Sequence, residues 1–234
     1  MIERKEFSDR VEWYKEGRRH RADGPAVVRA NGSMEWWANG ECHRIGGPAK
    51  VWSDGSESWY MNGRLHRADG PAVEHADGGR EWWVDGARHR TGGPAFERSY
   101  GLSEWWDSGR RHRTDGPAVE WRHQKKEWWV NGQRHRTDGP AVEYAGGKEW
   151  WSNGQLHRTN GPASEYTNGY KFWYVNGVDI TRLRHALTRL YRRRRWRRFV
   201  RRCAQRWALK CAIEWRPPRG VQFAAMLDEI DGSL

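Results

Sequence analysis

Aliphatic side chains are scarce in this chain. Only 36% of its 234 residues are hydrophobic, aromatics and Cys included, while 31% are charged. That composition excludes a deep core of Leu, Ile and Val. No apolar run approaches the roughly 18 residues a membrane-spanning helix needs. The opening M-I-E-R-K-E-F-S-D-R lacks the apolar stretch of a signal peptide. Cysteine is also rare: Cys42, Cys203 and Cys211 are too few and too scattered for a disulfide framework or a zinc site. On one helix Cys203 and Cys211 would lie about 12 Å apart, beyond the reach of a disulfide. A reducing, intracellular setting is expected, cytoplasmic or membrane-peripheral, with nuclear and virion locations left open. P-loop, dinucleotide-binding, nucleophile-elbow and zinc spacings are all missing. The expectation is therefore a non-enzymatic chain with no catalytic residues, no metal and no cofactor.

Tryptophan and glycine are plentiful instead, at 18 and 27 residues. Large aromatics bury much area each, so a thin structure is affordable without an aliphatic core. Disordered chains are poor in aromatics, which argues against disorder here.

The tryptophans are periodic. Aromatic pairs begin at Trp13, Trp36, Trp59, Trp82, Trp105, Trp128, Trp150 and Trp173. His-Arg pairs begin at His20, His43, His66, His89, His112, His135 and His157, stepping by 23 residues five times and then by 22. Gly-Pro-Ala follows each of them. A fixed period in this range is the signature of a repeat array.

Each unit holds two turn signals, one before the aromatic pair (Asn31-Gly32, Asp54-Gly55) and one after it (Asn39-Gly40, Asn62-Gly63). Asn-Gly or Asp-Gly between β-prone runs predicts hairpins with type I′ turns, which need positive φ at both central residues. The unit reads as a hairpin followed by a loop, H-R-x-x-G-P-A. The fold class is thus mainly β, an elongated single-layer array of hairpin repeats with a C-terminal α-helical basic tail. Equivalent residues would recur about every 9.5 Å, two strand spacings, giving a ribbon on the order of 65 Å. Residues 1–177 form the array, 178–216 an Arg-rich helical cap or tail, and 217–234 a short final segment. The array is expected to begin with a lone strand at 10–17. Its open edge around Val11 to Tyr14 invites pairing with a second copy.

The repeated side chains invite functional readings. Seven imidazoles about 9.5 Å apart cannot share one metal ion, so His43, His66, His89, His112, His135 and His157 read as structural, each donating a hydrogen bond near the inter-hairpin turn. The Glu before most aromatic pairs (Glu12, Glu35, Glu81, Glu104, Glu127, Glu149) reads as a charge partner for the Arg residues of the repeat. Trp36, Trp59, Trp82, Trp105, Trp128 and Trp150 carry three readings: packing between hairpins, a groove for a partner peptide or helix, or stacking on carbohydrate or bases.

The tail is different. Residues 178–234 carry 15 Lys+Arg against 5 Asp+Glu, while the array is nearly balanced. Residues from Asp179 to about Glu214 lack Gly and Pro and predict helix, with a change of direction near Arg192 to Arg195. Arg192, Arg193, Arg194, Arg195, Arg197, Arg198, Arg201 and Arg202 suit an anionic partner, with Trp196, Phe199 and Trp207 as membrane or docking aromatics. Nucleic acid, an anionic bilayer, a nuclear import receptor and a solvated helix face all fit this run.

The units resemble MORN repeats, whose pattern is an aromatic followed by W-x-x-G-x-x-H-G-x-G on a similar step. Trp129, Asn131-Gly132, His135 and Gly139 occupy comparable places. Arg follows His where the family has Gly, and Gly-Pro-Ala replaces Gly-x-Gly, a variant abundant in large DNA viruses of amoebae. The resemblance covers roughly residues 13–177. It implies a scaffold, a membrane-associated platform or a dimerising rod, with protein partners for the array.

Overall fold

The structure, a computed structural model, describes residues 1–122 and 124–185. The Arg-rich run and Trp196, Phe199 and Trp207 lie outside the described residues. Two compact units divide the chain, the first spanning Met1–Gln133 and the second starting at Arg134. Both consist of successive antiparallel hairpins, and the protein is mainly β.

In the first unit β1 (Ile2–Glu6) pairs with β2 (Arg10–Lys15), which continues through the tight turn at Glu16-Gly17 into β3 (Arg18–Arg19). The other edge of β2 takes β4 (Val27–Arg29), then β5 (Met34–Glu35), and the sheet proceeds by neighbours through Phe96–Glu97 to Lys125–Glu127. In the second unit Val142–Tyr144, Gly147–Glu149, Ser164–Tyr166 and Lys171–Phe172 repeat the arrangement.

The edge that the sequence leaves open at Val11 to Tyr14 is therefore closed. β1 covers it, with Lys5 opposite Glu12 and Arg4 opposite Trp13. This strand is a cap, not a repeat copy. All five of its residues are exposed, four of them charged, which suits an edge that must not recruit another strand.

The second turn signal of each unit closes a hairpin of its own. After β5 the chain passes through Trp36 into a two-residue hairpin, β6 (Trp37–Ala38) with β7 (Glu41–Cys42). Equivalent small hairpins follow, among them Trp83–Val84 with Ala87–Arg88 and Trp151–Ser152 with Gln155–Leu156. The first tryptophan of each pair is the pivot. Trp36 donates its N–H to Ala49 O at 2.8 Å and its carbonyl accepts from His43 N–H at 3.1 Å. Each unit thus holds a hairpin in the sheet and a smaller one beside it.

The two turns of a unit differ. At the small hairpins both central residues have positive φ, as at Asn39 (53°) and Gly40 (87°), the type I′ geometry. At the sheet hairpins only the glycine does, as at Gly32 (89°). There the Asx side chain bonds two residues on, with Asn31 Oδ1 accepting Ser33 N–H at 3.0 Å and Asp54 Oδ1 accepting Ser56 N–H at 2.8 Å. The expectation of type I′ at both positions holds only for the second. Asn and Asp stabilise the first kind through the side chain and tolerate the left-handed conformation in the second.

The single 22-residue step arises in the sheet hairpin of the second unit. Tyr144 faces Gly147 directly, one residue fewer than in earlier loops. A Cβ at Gly147 would lie 2.3 Å from the Glu165 carbonyl oxygen, so this shortened turn excludes a side chain there.

The core is thin and made of small residues. Ala26, Ala49, Ala72, Ala95, Ala118, Ala141 and Ala163, one per repeat, are fully buried, with Val27, Val73, Phe96, Val119 and Val142 beside them. The array runs slightly past 177: Tyr174–Val175 pairs with Val178–Asp179. Ile180 then occupies the place of the repeat's His and Thr181 that of its Arg. Ile180 packs with Val175, Trp173 and Val178, and the Thr181 hydroxyl accepts the Trp173 N–H at 3.0 Å that an Ala carbonyl takes elsewhere. Asp179 Oδ1 accepts Thr181 N–H at 2.8 Å, and helical backbone begins at 181.

Candidate functional site

The repeat loop H-R-x-x-G-P-A builds the most distinctive chemistry of the array. Its Arg lies flat on the first tryptophan of its own unit. The guanidinium carbon is 4.1 Å from the Trp13 centroid for Arg21, 3.9 Å for Arg44 over Trp36 and 4.0 Å for Arg67 over Trp59. Arg90 over Trp82, Arg113 over Trp105 and Arg158 over Trp150 repeat this at 3.7, 4.0 and 3.8 Å. The same guanidinium donates to the Pro carbonyl four residues on, at 3.0 Å from Arg44 to Pro48 O. It also reaches a Glu of the next strand, 2.9 Å from Arg67 to Glu74. Glycine closes the other side: a Cβ at Gly70 would sit 3.0 Å from the Arg67 Cζ, and at Gly161 2.8 Å from the Arg158 Cζ. Arg and Gly of this motif therefore require each other. Arg136 makes the same bonds, to Pro140 O at 3.2 Å and to Glu143 at 3.4 Å.

The histidines hold the next repeat through Nδ1. Nδ1 of His43 accepts the Asn62 N–H at 3.2 Å, and His157 that of Asn176 at 3.1 Å. His135 does the same for Asn153, while Nδ1 of His66, His89 and His112 faces both the turn amide and a side-chain oxygen at 3.0 Å, that of Asp85, Asp107 and Asn131. A turn opening on left-handed residues leaves its amides pointing outward, so an acceptor 18 or 19 residues earlier must satisfy them. The following glycine amide goes to the previous repeat as well, as from Gly63 to Cys42 O at 2.9 Å. At His43, His135 and His157, where Nδ1 meets an amide donor alone, the ring proton sits on Nε2.

The Glu before the aromatic pair is an Arg partner, as its sequence context implies, but it is also buried. Relative exposure is 0% at Glu12, 7% at Glu81, 6% at Glu104 and 5% at Glu127. Glu81 accepts from Trp83 Nε1 at 3.0 Å, from Arg88 at 2.8 Å and pairs with His75 at 2.9 Å. Burial raises the carboxyl pKa of Glu12, and hydrogen bonds from Tyr14, Arg10 and Arg19 outweigh it, drawing the group down to about 2. Glu35 and Glu81 are also drawn below the usual carboxylate range, burial again being outweighed by their donors.

These arginines extend between the second aromatics of successive units. Arg88 lies 5.0 Å from the Trp83 centroid and 5.4 Å from Trp106, and Arg111 bridges Trp106 and Trp129 at 5.1 and 5.3 Å. Three repeats depart from this: Cys42, Leu65 and Leu156 stand where Arg is usual, and Ser58 where Glu is. Lys50, at a position otherwise apolar or Ser, lies over Trp37 and Tyr60 and faces Glu35 across the strands. Cys42 is buried, and burial pushes its thiol up to about 12.

Between successive H-R-x-x-G loops lie shallow clefts. The one in the second unit, about 420 Å³, is lined by His135 to Gly139, Trp150, Trp151 and the loop from His157. Its counterpart in the first unit, about 300 Å³, lies between the loops at Arg44 and at His66, over Trp59 and Tyr60. The sequence places no ligand-sized opening here, because each cleft needs loops from two repeats. Among the described residues no three His, Cys, Asp or Glu side chains could hold a metal ion, and no helix is long and apolar enough to cross a membrane. In comparisons with known proteins, no family model matches this chain and no curated protein matches it.

Proposed function

We propose that this protein is a non-enzymatic scaffold of MORN-like repeats. The array is a platform for a protein partner, and the Arg-rich tail contacts an anionic membrane surface or acidic partner. The observation that carries this reading is the sameness of the units. His, Arg and Glu recur with the same structural partners in repeat after repeat, committed to holding hairpins together. A catalytic centre is an asymmetric constellation with groups driven to different proton affinities. Seven copies of one arrangement are a surface instead.

The excess positive charge stands apart from that surface. Residues 178–234 carry 15 Lys+Arg against 5 Asp+Glu. Arg in place of Lys favours bidentate phosphate contacts, which lipid headgroups and nucleic acid both offer. Nucleic-acid binding through the tail is therefore the second reading. Co-sedimentation of the full chain with acidic liposomes, with duplex DNA as competitor, separates the two. Pelleting that DNA leaves intact, and that is lost when Arg192 to Arg195, Arg197 and Arg198 are changed to Ser, supports the membrane-surface scaffold. Pelleting abolished by modest DNA makes nucleic acid the partner. Pelleting untouched by the Arg changes removes the tail from either role.

A further inference from the structure

We infer that Arg44 grips an acidic side chain, Asp or Glu, of a partner protein, presented on a segment with an apolar residue beside it. This rests on reading the array as a protein-binding platform and names both the gripping residue and the partner's chemistry.

Six of the seven loop arginines have a side-chain oxygen within their own unit. Nε of Arg21, Arg67, Arg113 and Arg136 donates to the Asp two residues on, at 3.0, 3.1, 2.8 and 2.8 Å, and Nε of Arg158 to Asn160 at 3.1 Å. Nη1 of Arg67, Arg90, Arg113, Arg136 and Arg158 donates to the Glu seven residues on, at 2.9, 3.4, 3.3, 3.4 and 3.2 Å. Arg44 has neither, because Gly46 stands at the first of these places and Val51 at the second. Among the described residues its Nε and Nη2 have no protein acceptor.

The guanidinium is nonetheless held like the others. It lies 3.9 Å from the Trp36 centroid, gives Nη1 to Pro48 O at 3.0 Å, and would meet a Cβ at Gly47 3.1 Å from its Cζ. A donor ordered before its ligand arrives loses little entropy on binding. The Nε–Nη2 edge is the fork that takes both oxygens of a carboxylate. The sister units show what such an edge accepts, since in four of them an Asp oxygen lies within 3.1 Å of the same Nε. A partner's Asp or Glu supplies from outside what those loops carry in their own sequence.

The surroundings fit an acid with an apolar neighbour. Arg44 lines the cleft of about 300 Å³ together with Ile45, Tyr60 and Met61. Ile45 is 84% exposed and Met61 44%, and every other unit has Ala or Thr in the place of Ile45. Arg67 lines the cleft as well, and its one carboxylate, Asp69, is bonded to Arg67 at 3.1 Å. The balance of charge there favours an anion. Ile45 and Met61 favour a protein segment over a bare phosphate, because they give an adjoining apolar side chain a surface to cover.

The test is isothermal titration calorimetry of the full chain with a capped peptide carrying one Asp beside Leu, with its Asn analogue, and with inorganic phosphate as competitor. The Asp peptide is expected to bind, the Asn peptide about tenfold more weakly, and phosphate to displace neither. Val51→Glu gives Arg44 the carboxylate that its counterparts have. It should abolish the preference for Asp without lowering the melting temperature, and any binding to the basic tail is the part it leaves behind. Arg44→Lys keeps the charge but not the fork, and should weaken the Asp peptide about tenfold. Equal affinity for the two peptides, or an Asp preference unchanged in folded Val51→Glu, overturns the inference but leaves a peptide-binding array. Displacement by phosphate overturns it by making a phosphate group the ligand. Absence of any peptide binding while tail-dependent pelleting persists overturns it too, and leaves the tail reading standing.

Discussion

Arg67 lies on the face of Trp59, 4.0 Å from the ring centroid, with Gly70 against its far side. Trp, Arg and Gly of the repeat form one three-layer unit, and the Arg also carries the Pro71 carbonyl at 3.2 Å and Asp69 at 3.1 Å.

Gly70→Ala should therefore destabilise without any backbone strain, since its φ is not left-handed. The new Cβ would meet the guanidinium at 3.0 Å and force it out of its present place against the ring, at a cost of about 1–2 kcal/mol. Chemical denaturation should show that loss. It should be smaller in Gly70→Ala combined with Arg67→Ala, where nothing is displaced. Equal losses in the two backgrounds would refute the sandwich.

Glu12 predicts a pH dependence with a definite sign. Its carboxyl sits at about 2, below the ordinary 4.5. A group depressed in the fold contributes stability above its ordinary pKa and loses it as pH falls toward the folded value. The contribution is on the order of 2–3 kcal/mol and should vanish between about pH 4.5 and 2. Glu12→Gln should be less stable than the parent at pH 7 and lose less on acidification. Parallel pH profiles would contradict this.

Removing the N-terminal cap should expose what β1 covers. A chain lacking residues 1–9 presents the Val11 to Tyr14 edge, freed of its pairing with Ile2–Glu6. Light scattering should report self-association that rises with concentration, with the full-length chain less associated under the same conditions. Identical masses for the two would remove the protective role from β1.

His43 should matter through Nδ1 alone. His43→Ala strips the acceptor from the Asn62 amide, 3.2 Å away, at a cost of about 1–2 kcal/mol. His43→Asn should recover most of it. Failure of Asn to rescue would mean that ring packing, not the hydrogen bond, is what the repeat retains.

The repeat was legible because its requirements are local. Asn39-Gly40 and Asn62-Gly63 announce left-handed turns through their own conformational freedom, and the spacing of Trp and His-Arg pairs marks each unit. The buried Glu81 was legible only as a partner for Arg. Its burial arises when strands from neighbouring hairpins enclose it with Trp83, Arg88 and His75. β1 was not legible as a strand, since its charged I-E-R-K-E copies no part of the repeat and lacks the β-branched pattern of a buried one.

By itself the sequence determined the period, the turn positions, the mainly β class and the separation of a neutral array from a basic end. These follow from backbone preferences within a few residues and from simple composition. Only the tertiary structure decided that His43 accepts rather than donates, that Gly70 exists to admit Arg67, that β1 closes the first edge, and that Ile180 and Thr181 replace His and Arg where no further repeat follows. The cross-repeat contacts and end caps join groups that meet only once neighbouring hairpins and strands are assembled, and the Arg–Trp–Gly sandwich needs the loop folded back over its strand, so the physical cause lies in the assembled sheet.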